Sequence, residues 1–444
     1  MDPGAGPRTW ILVYVHVRRI AWFLIAGIAA AVALWAATLR FSSPVPTAPP
    51  ARRFDVAVGE AARQPHAVNY DQIDARLQRL MQDPAMVGLA VGIVEGGQIR
   101  FIKGYGVTSA GGAERVSADT VFRWASLSKG VAADAVALLA AEHRLSLGDP
   151  VSRYASSLRL PDGNENVATV ANLLSHTLGL FGHAQDSKLE DGLDPRFLRG
   201  TLATLHNICA PGACHAYQNV AYDAASEIVE RVSGKPYGEF LQERFFGPLG
   251  MTGASASRAG LIEARSWARP HVGGHPRGPE PEVSESYYRV PAAGGINGTI
   301  KDLSIWMLAQ MGVANDVIPA AALAAVQTPR IRTPGENFRR RKFRERTAAS
   351  AYGLGWRVLD YSGHRVIGHH GGVRGYRSMI LFDPVLKSGV VVLWNSSSPR
   401  PNGIEYEVMD MVYRLPFRDW IGLSEEQPAA EPPGNAVQAE NEGN

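Results

Sequence analysis

Ser126 and Lys129 stand three residues apart in FRWASLSKG, residues 122–130, where an apolar stretch begins. Residues i and i+3 share a helix face, so the lysine nitrogen can lie beside the serine hydroxyl. The N-terminus of that helix adds positive potential and free N–H groups, which favour an alkoxide on Ser126. A lysine deprived of water gives up its proton more readily and can serve as a base. The motif alone is weak, because an N-capping serine next to a solvated lysine satisfies it as well. Ser128 is a rival hydroxyl, but it adjoins Lys129 in sequence and points elsewhere.

A second group is Tyr217-Gln218-Asn219. A phenol of ordinary pKa, about 10, is a poor base at neutral pH. Beside a cation it can share a proton with a nucleophile. The Asn219 amide can donate to a substrate carbonyl and accept from neighbours. A loop tyrosine covering the next helix is the plainer explanation of the pair. The third group is GHHGGVRGY, residues 368–376, just before a strong strand. Glycines let another backbone approach a strand edge closely. A free N–H at the Gly371-Gly372 step can pair with that of Ser126 as an oxyanion hole. His369 can supply a proton or a hydrogen bond from the opposite wall. Adjacent histidines also invite a metal. The chain has no H-E-x-x-H and no third ligand at suitable spacing, so neither metal nor cofactor is expected.

Each group is ambiguous, but their order is distinctive. Ser-x-x-Lys, then Tyr-x-Asn about 90 residues on, then His-x-Gly about 150 further, resembles the serine beta-lactamase and penicillin-binding-protein superfamily. The likeness is to its class C-like branch, which includes esterases and D-amino-acid peptidases. LLSHTLGL (173–180) resembles that family's LLxHxSGL, with Leu178 where serine is usual. AAGGINGTIKDL (292–303) resembles AGGxxST-x-x-DL, with Gly298 in place of serine. YGLGW (352–356) and GHHGG (368–372) match closely, and the likeness extends over about residues 70–415.

The resemblance implies an α/β (α+β) beta-lactamase-like fold. An antiparallel sheet lobe flanked by helices would join an all-helical lobe. It implies Ser126 as the acylated nucleophile, Lys129 as its partner base and Tyr217 as a second base. Asn219 would bind the substrate amide. His369 takes the place of the lysine in the Lys-Thr-Gly triplet of class C beta-lactamases, which helps bind a carboxylate. Histidine is only weakly cationic at pH 7. The expectation therefore shifts from beta-lactamase towards esterase or peptidase. The expected reaction is hydrolysis of an ester or amide bond, through an acyl-enzyme, in a small-molecule or peptide substrate. D-Ala-D-Ala carboxypeptidase or beta-lactamase activity is the alternative. A non-catalytic cell-wall or antibiotic receptor is the alternative of another class. Such a binder has no need of Ser126, Lys129 and Tyr217 together.

These groups need a scaffold. The 444 residues are 45% hydrophobic and 20% charged, with a net charge of +3 that makes no case for nucleic acid. Ile73, Leu77, Leu80 and Met81 predict a helix over 70–82. Two apolar runs around Glu95-Gly96-Gly97 predict a hairpin over 87–106. Helices are expected at 127–143 and 221–232. Strands return at 377–382 and 389–395, joined by a turn at Asp383-Pro384. A last amphipathic helix carries Ile404, Val408, Met411 and Val412. Strands at both ends suggest a sheet closed by both termini, with the helical lobe inserted and a site in the cleft between.

Residues 20–39 carry no charge and can span a bilayer as one helix of roughly 30 Å. Arg8, Arg18 and Arg19 precede them, which places residues 1–19 in the cytoplasm and the rest outside. The expectation is an anchor in an inner membrane of bacterial type, with the catalytic domain on its periplasmic or extracellular side. A cleaved signal peptide is the competing reading. Residues 40–66 read as a Pro-rich linker, 67–422 as the hydrolase domain and 423–444 as a disordered tail. Oligomeric state is not legible. The basic run RRRKFRER (339–346) is either a solvated loop or a contact for anionic lipid heads or peptidoglycan.

The two cysteines, Cys209 and Cys214, lie just before Tyr217. His206 and His215 flank them, so zinc is one reading. The outward orientation places them where thiols oxidise. Pro211-Gly212 can turn tightly enough to bring them together. A disulfide is therefore expected ahead of free thiols or zinc. It would stiffen the segment leading to Tyr217 and Asn219.

Overall fold

Gly96 and Gly97 take φ of 61° and 79°. This left-handed backbone is what a tight hairpin turn requires. The turn joins β1 (Gly88–Glu95) to β2 (Gln98–Gly106), the predicted hairpin. The computed structural model describes residues 66–272, 280–339 and 341–423, together with Arg52 and Phe54. Next come β3 (Phe122–Arg123) and β4 (Asn297–Gly298), which pair as a separate two-stranded sheet. Then follow β5 (Ile331–Arg332), β6 (Thr347–Tyr352), β7 (Arg357–Tyr361), β8 (His364–Val373), β9 (Tyr376–Asp383) and β10 (Ser388–Trp394).

The main sheet runs β2-β1-β10-β9-β8-β7-β6-β5, every pairing antiparallel. Leu89 faces Trp394 and Val94 faces Gly389, so early and late segments meet as neighbours. The expected closure of the sheet is present. The half of the sheet from β5 to β8 goes beyond the sequence reading. The GHHGG run stands just before β9, as expected, and is itself part of a strand, β8.

Among the described residues, the helices of nine residues or more are α1 (Tyr70–Leu80), α2 (Ser128–Ala141), α3 (Ala224–Ser233), α4 (Ile300–Gln310) and α5 (Ile404–Val412). α1 starts at Asn69, whose side chain accepts from the Gln72 N–H at 3.0 Å. Ile73, Leu77 and Leu80 of α1 and Ile404 and Val408 of α5 share a core with Val91, Met379, Leu381 and Val392. Residues of α2 and α4 share the other core with Ala90, Ile380, Phe382 and Val391. Gly92 lets α4 sit close, because a Cβ there would fall 2.2 Å from Ser304 Oγ.

α2 is buried on all sides from Ser128 to Leu139. A helix without a polar face belongs in the middle of a domain. It carries Lys129 into the driest part of the molecule.

The proposed anchor (20–39) lies outside the described residues, as do nearly all of the linker and the tail. Among the described residues no helix is long and apolar enough to cross a membrane. The basic run divides. Arg346 turns inward onto Asp410 at 2.8 Å, while Arg341, Lys342 and Arg344 are exposed.

Leu77 is 1% exposed and lies in the core on the α1 side of the sheet. Leu77→Ala is expected to cost about 3 kcal/mol of folding stability. Urea unfolding of the two chains, followed by circular dichroism, measures it.

Candidate active site

Ser126 sits in a 3-10 turn, Ala125–Leu127, immediately before α2. Ala125 has φ of 50°, a strained conformation for a residue with a Cβ. The surroundings hold it there. The Trp124 N–H donates to Ile296 O at 2.9 Å, and Ser378 Oγ donates to Trp124 O at 2.7 Å. Ser128 Oγ donates to Ala125 O at 2.6 Å and accepts from the Ile296 N–H at 3.0 Å. The rival hydroxyl is thus fully buried and spent on bracing the turn.

Lys129 is fully buried. Its Nζ donates to Asn219 Oδ1 and to Ala293 O, each at 2.7 Å, and lies 3.4 Å from Ser126 Oγ. Loss of water pulls its pKa down to about 7; Asp186 and Asp223 push back, and Arg357 adds to the fall. Burial, by contrast, pushes the Tyr217 phenol up, with a hydrogen bond to Ser126 working against it. Lys129 Nζ lies 4.7 Å from the centre of the Tyr217 ring. The resting site therefore holds a protonated tyrosine beside a lysine that is readily neutral. Of the two expected bases, Lys129 is the one ready to accept.

The supporting motifs converge on this lysine. Asp223 accepts from the Ala292 N–H at 3.0 Å and fixes the loop whose Ala293 carbonyl receives Lys129. A Cβ at Gly355 would fall 2.5 Å from Lys129 O, and one at Gly130 would fall 2.5 Å from the Trp356 ring. Gly298, found where the resembling family has serine, lies against Trp124; a Cβ there would fall 2.6 Å from the indole.

β7 pairs with β8 only as far as Gly368, which faces Arg357. Residues 369–373 of β8 have no strand partner on that side among the described residues. Ser126's turn lies beside them. A Cβ at Gly371 would fall 2.5 Å from Trp124 O and 3.1 Å from the Ser126 nitrogen, so only glycine allows this approach. Gly372, next along, is exposed. The strand edge and the Ser126 backbone are thus adjacent, as an oxyanion site requires.

Two expected contacts are taken up inside the protein. His369 is 2% exposed; its Nδ1 faces His370 O at 2.8 Å and its Nε2 faces the Tyr352 hydroxyl at 3.0 Å. The carbonyl requires a proton on Nδ1, so Nε2 accepts from Tyr352. Burial, then Arg357 and Lys129, push its pKa well below the usual range. His369 is a neutral core group and not a donor on the opposite wall. Asn219, 6% exposed, accepts from Lys129 and donates to Asp186 Oδ2 at 2.6 Å. Its carbonyl serves the lysine.

Cys209 and Cys214 form a disulfide, with Cα atoms 6.2 Å apart. The loop docks on the 173–180 motif. The Ile208 N–H donates to Gly179 O at 2.8 Å, Gly212 to Thr177 O at 2.7 Å and Ala216 to His176 O at 2.9 Å. These bonds lead directly into Tyr217. His215 packs against Tyr352 at 5.1 Å between ring centres. Among the described residues no group of three His, Cys, Asp or Glu could hold a metal.

Cavities open on both sides of the site. One of 580 Å³ is lined by His183, Ile208, Cys214, Tyr217 and Glu336. One of 610 Å³ is lined by Glu190, Tyr287, Gly372, Arg374 and Arg377. A cavity of 930 Å³ bordered by Glu114, Asp119 and Lys301 contains none of the catalytic candidates, so volume alone does not mark the site.

A family model described as Beta-lactamase matches residues 73–410. The chain belongs to the beta-lactamase family. It is 26% identical over 340 residues to the unguisins hydrolase ungD' of Aspergillus campestris, covering 73% of this chain and 61% of that one. It is 31% identical over 189 residues to the D-alanyl-D-alanine-carboxypeptidase/endopeptidase AmpH of Escherichia coli K12, covering 41% and 48%. The matches thus span about half to three fifths of these curated relatives. In fold it is similar to an octameric penicillin-binding protein homologue from Pyrococcus abyssi, with TM-score 0.69, 22% identity and 78% of each chain covered. It is also similar to a class C beta-lactamase, with TM-score 0.64, 21% identity and 82% and 100% covered.

Asp186, Asp223 and Arg357 escaped the sequence reading of this beta-lactamase-family site, because no short motif marks them. Arg357 stands on β7 and pairs with Glu336 at 2.8 Å. It is the guanidinium whose field reaches Lys129, Tyr217 and His369. Gly371→Ala must push the strand away from Ser126. It is expected to slow reaction of Ser126 with a fluorophosphonate about 100-fold in a chain that still folds. Labelling kinetics against circular dichroism check this.

Proposed function

We propose that this chain is a membrane-anchored serine hydrolase that opens an ester or amide bond through an acyl-enzyme on Ser126. The carrying observation is the buried Lys129, drawn down to about 7 and held 3.4 Å from Ser126 Oγ. Neutral Lys129 takes the Ser126 proton as the oxygen attacks the substrate carbonyl. The Ser126 and Gly372 N–H groups hold the oxyanion. As the carbonyl re-forms, Tyr217 gives its phenol proton to the departing alkoxide or amine, and Lys129 returns a proton to Tyr217. Water then attacks the ester on Ser126, losing its proton to Lys129; Ser126 leaves with a proton from Tyr217, and Lys129 passes its extra proton back to Tyr217. Each cycle consumes one water and restores all three groups.

An ester suits the cleft better than a lactam, since it needs no cation and His369 offers none. The D-alanyl-D-alanine peptide reading draws support from the likeness to AmpH. It also draws on Arg374 and Arg377 beside Gly372, which suit a terminal carboxylate. The Cys209–Cys214 disulfide favours a location outside the cytoplasm. Fractionation of the full chain against one lacking residues 1–39 tests the anchor. Loss of membrane association only in the shortened chain supports it.

A panel of p-nitrophenyl acetate, a D-Ala-D-Ala peptide and nitrocefin tests the activity. Turnover of ester or peptide above nitrocefin is expected, with Ser126→Ala inactive on all. Wild-type turnover by Ser126→Ala would remove the nucleophile.

Because neutral lysine is the base, acylation should rise with pH through about 7 and level off above it. Fluorophosphonate labelling rates between about pH 5 and 9 measure the limb. A flat profile would take Lys129 out of this role.

A further inference from the structure

Asp186 opens the short helix Asp186–Glu190 and is 9% exposed. Its Oδ2 accepts from Asn219 Nδ2 at 2.6 Å and from His183 Nδ1 at 2.8 Å. Its Oδ1 is buried and has no hydrogen-bond partner among the described residues. A buried carboxylate with an idle oxygen is costly to keep. No step of the acyl transfer uses it.

We infer that Asp186 is a positioning residue that fixes the Asn219 amide with its oxygen towards Lys129 and sets the pH at which Lys129 works. The inference rests on the reading in which Lys129 is the base.

The argument begins with donors and acceptors. An ammonium only donates and an ionised carboxylate only accepts. An amide placed between them has one orientation that suits both. Asn219 has it, with Oδ1 on Lys129 at 2.7 Å and Nδ2 on Asp186. Without an acceptor on the far side, the amide is free to turn its N–H groups towards the lysine. His183 ties this carboxylate to the tyrosine. Its ring bonds Asp186, its backbone N–H donates to Tyr217 O at 2.7 Å, and its φ of 59° shows a backbone held in place.

The charges around Lys129 are few. Ser126, Tyr217, Asn219 and Tyr222 touch or face it, and Asp186, Asp223, Arg357, His176 and His369 share its field. Asp186 leads the charges that favour the ammonium. Asp223, the other carboxylate, is already paired with Arg199 at 2.8 Å. Asp186 itself is faced by His183 and by Tyr287, whose hydroxyl bonds Glu190 at 2.9 Å.

Asp186→Asn keeps the shape and one acceptor oxygen but removes the charge. With less to favour the ammonium, Lys129 should stay neutral in more acidic solution. The acid limb of Ser126 labelling by fluorophosphonate is therefore expected to move down by about one pH unit. Asp186→Glu, which keeps the charge, should hold the limb at its wild-type position. A merely structural role would lower the rate at every pH and leave the limb in place. An unmoved or raised limb in Asp186→Asn overturns the proposal. If that variant does not fold, Asp186→Ser gives the same readout. A wild-type chain that fails to label would sink the acyl-transfer reading and this inference with it. A wild-type chain that labels, with an unmoved limb in Asp186→Asn, would sink this inference alone.

Discussion

Everything at the site depends on keeping water from Lys129. A lysine at the surface is charged at pH 7 and cannot accept a proton. Here the helix that carries it is enclosed on all sides, and glycines at 130 and 355 let neighbours close on it. A buried charge without compensation is expensive, and giving up the proton is the cheaper outcome. The protein does not take this to its limit. Asn219, Ala293 O and nearby carboxylates keep the ammonium accessible, so the group sits where small changes in charge matter.

The nucleophile depends on a second constraint, a turn in a conformation it would not adopt alone. Ala125 at positive φ is held by hydroxyls and backbone from α2, β9 and the segment before β4. These same bonds join the helical part to the sheet. Chemistry and folding therefore share one junction. Ser128 and Ser378 act as braces there, although each is a hydroxyl near the site.

Much of this was legible in sequence because it is local or ordered along the chain. The hairpin at Gly96-Gly97, the closure of the sheet by late strands and the succession of Ser126, Tyr217 and Gly371 all follow from short patterns. The disulfide followed from the expected compartment and a Pro-Gly turn. The role of His369 was not legible. It depends on which pleat of β8 faces inward, and His369-His370-Gly371-Gly372 offers the same residue types to both faces, so no alternation in the sequence marks the phase. Glycines at 368, 371 and 372 kept the same run outside the expected strands. Asp186 lies 33 residues from the amide it orients, in a segment without periodicity. Such a contact comes from packing and leaves no signature in spacing.

β7 reaches only to Arg357, opposite Gly368, and leaves β8 unfinished along 369–373 among the described residues. An unfinished edge reads main chain, since its bonds are to N–H and C=O and not to side chains. A ligand laid along it is sorted by whether it can lie extended, whatever its composition. Discrimination then falls to what stands on either side, the disulfide loop with Thr333–Glu336 and the arginines after Gly372. Those surfaces can vary without disturbing the lysine. The fold thus separates how a bond is broken from which molecule is admitted, and new substrates can be reached through the loops alone.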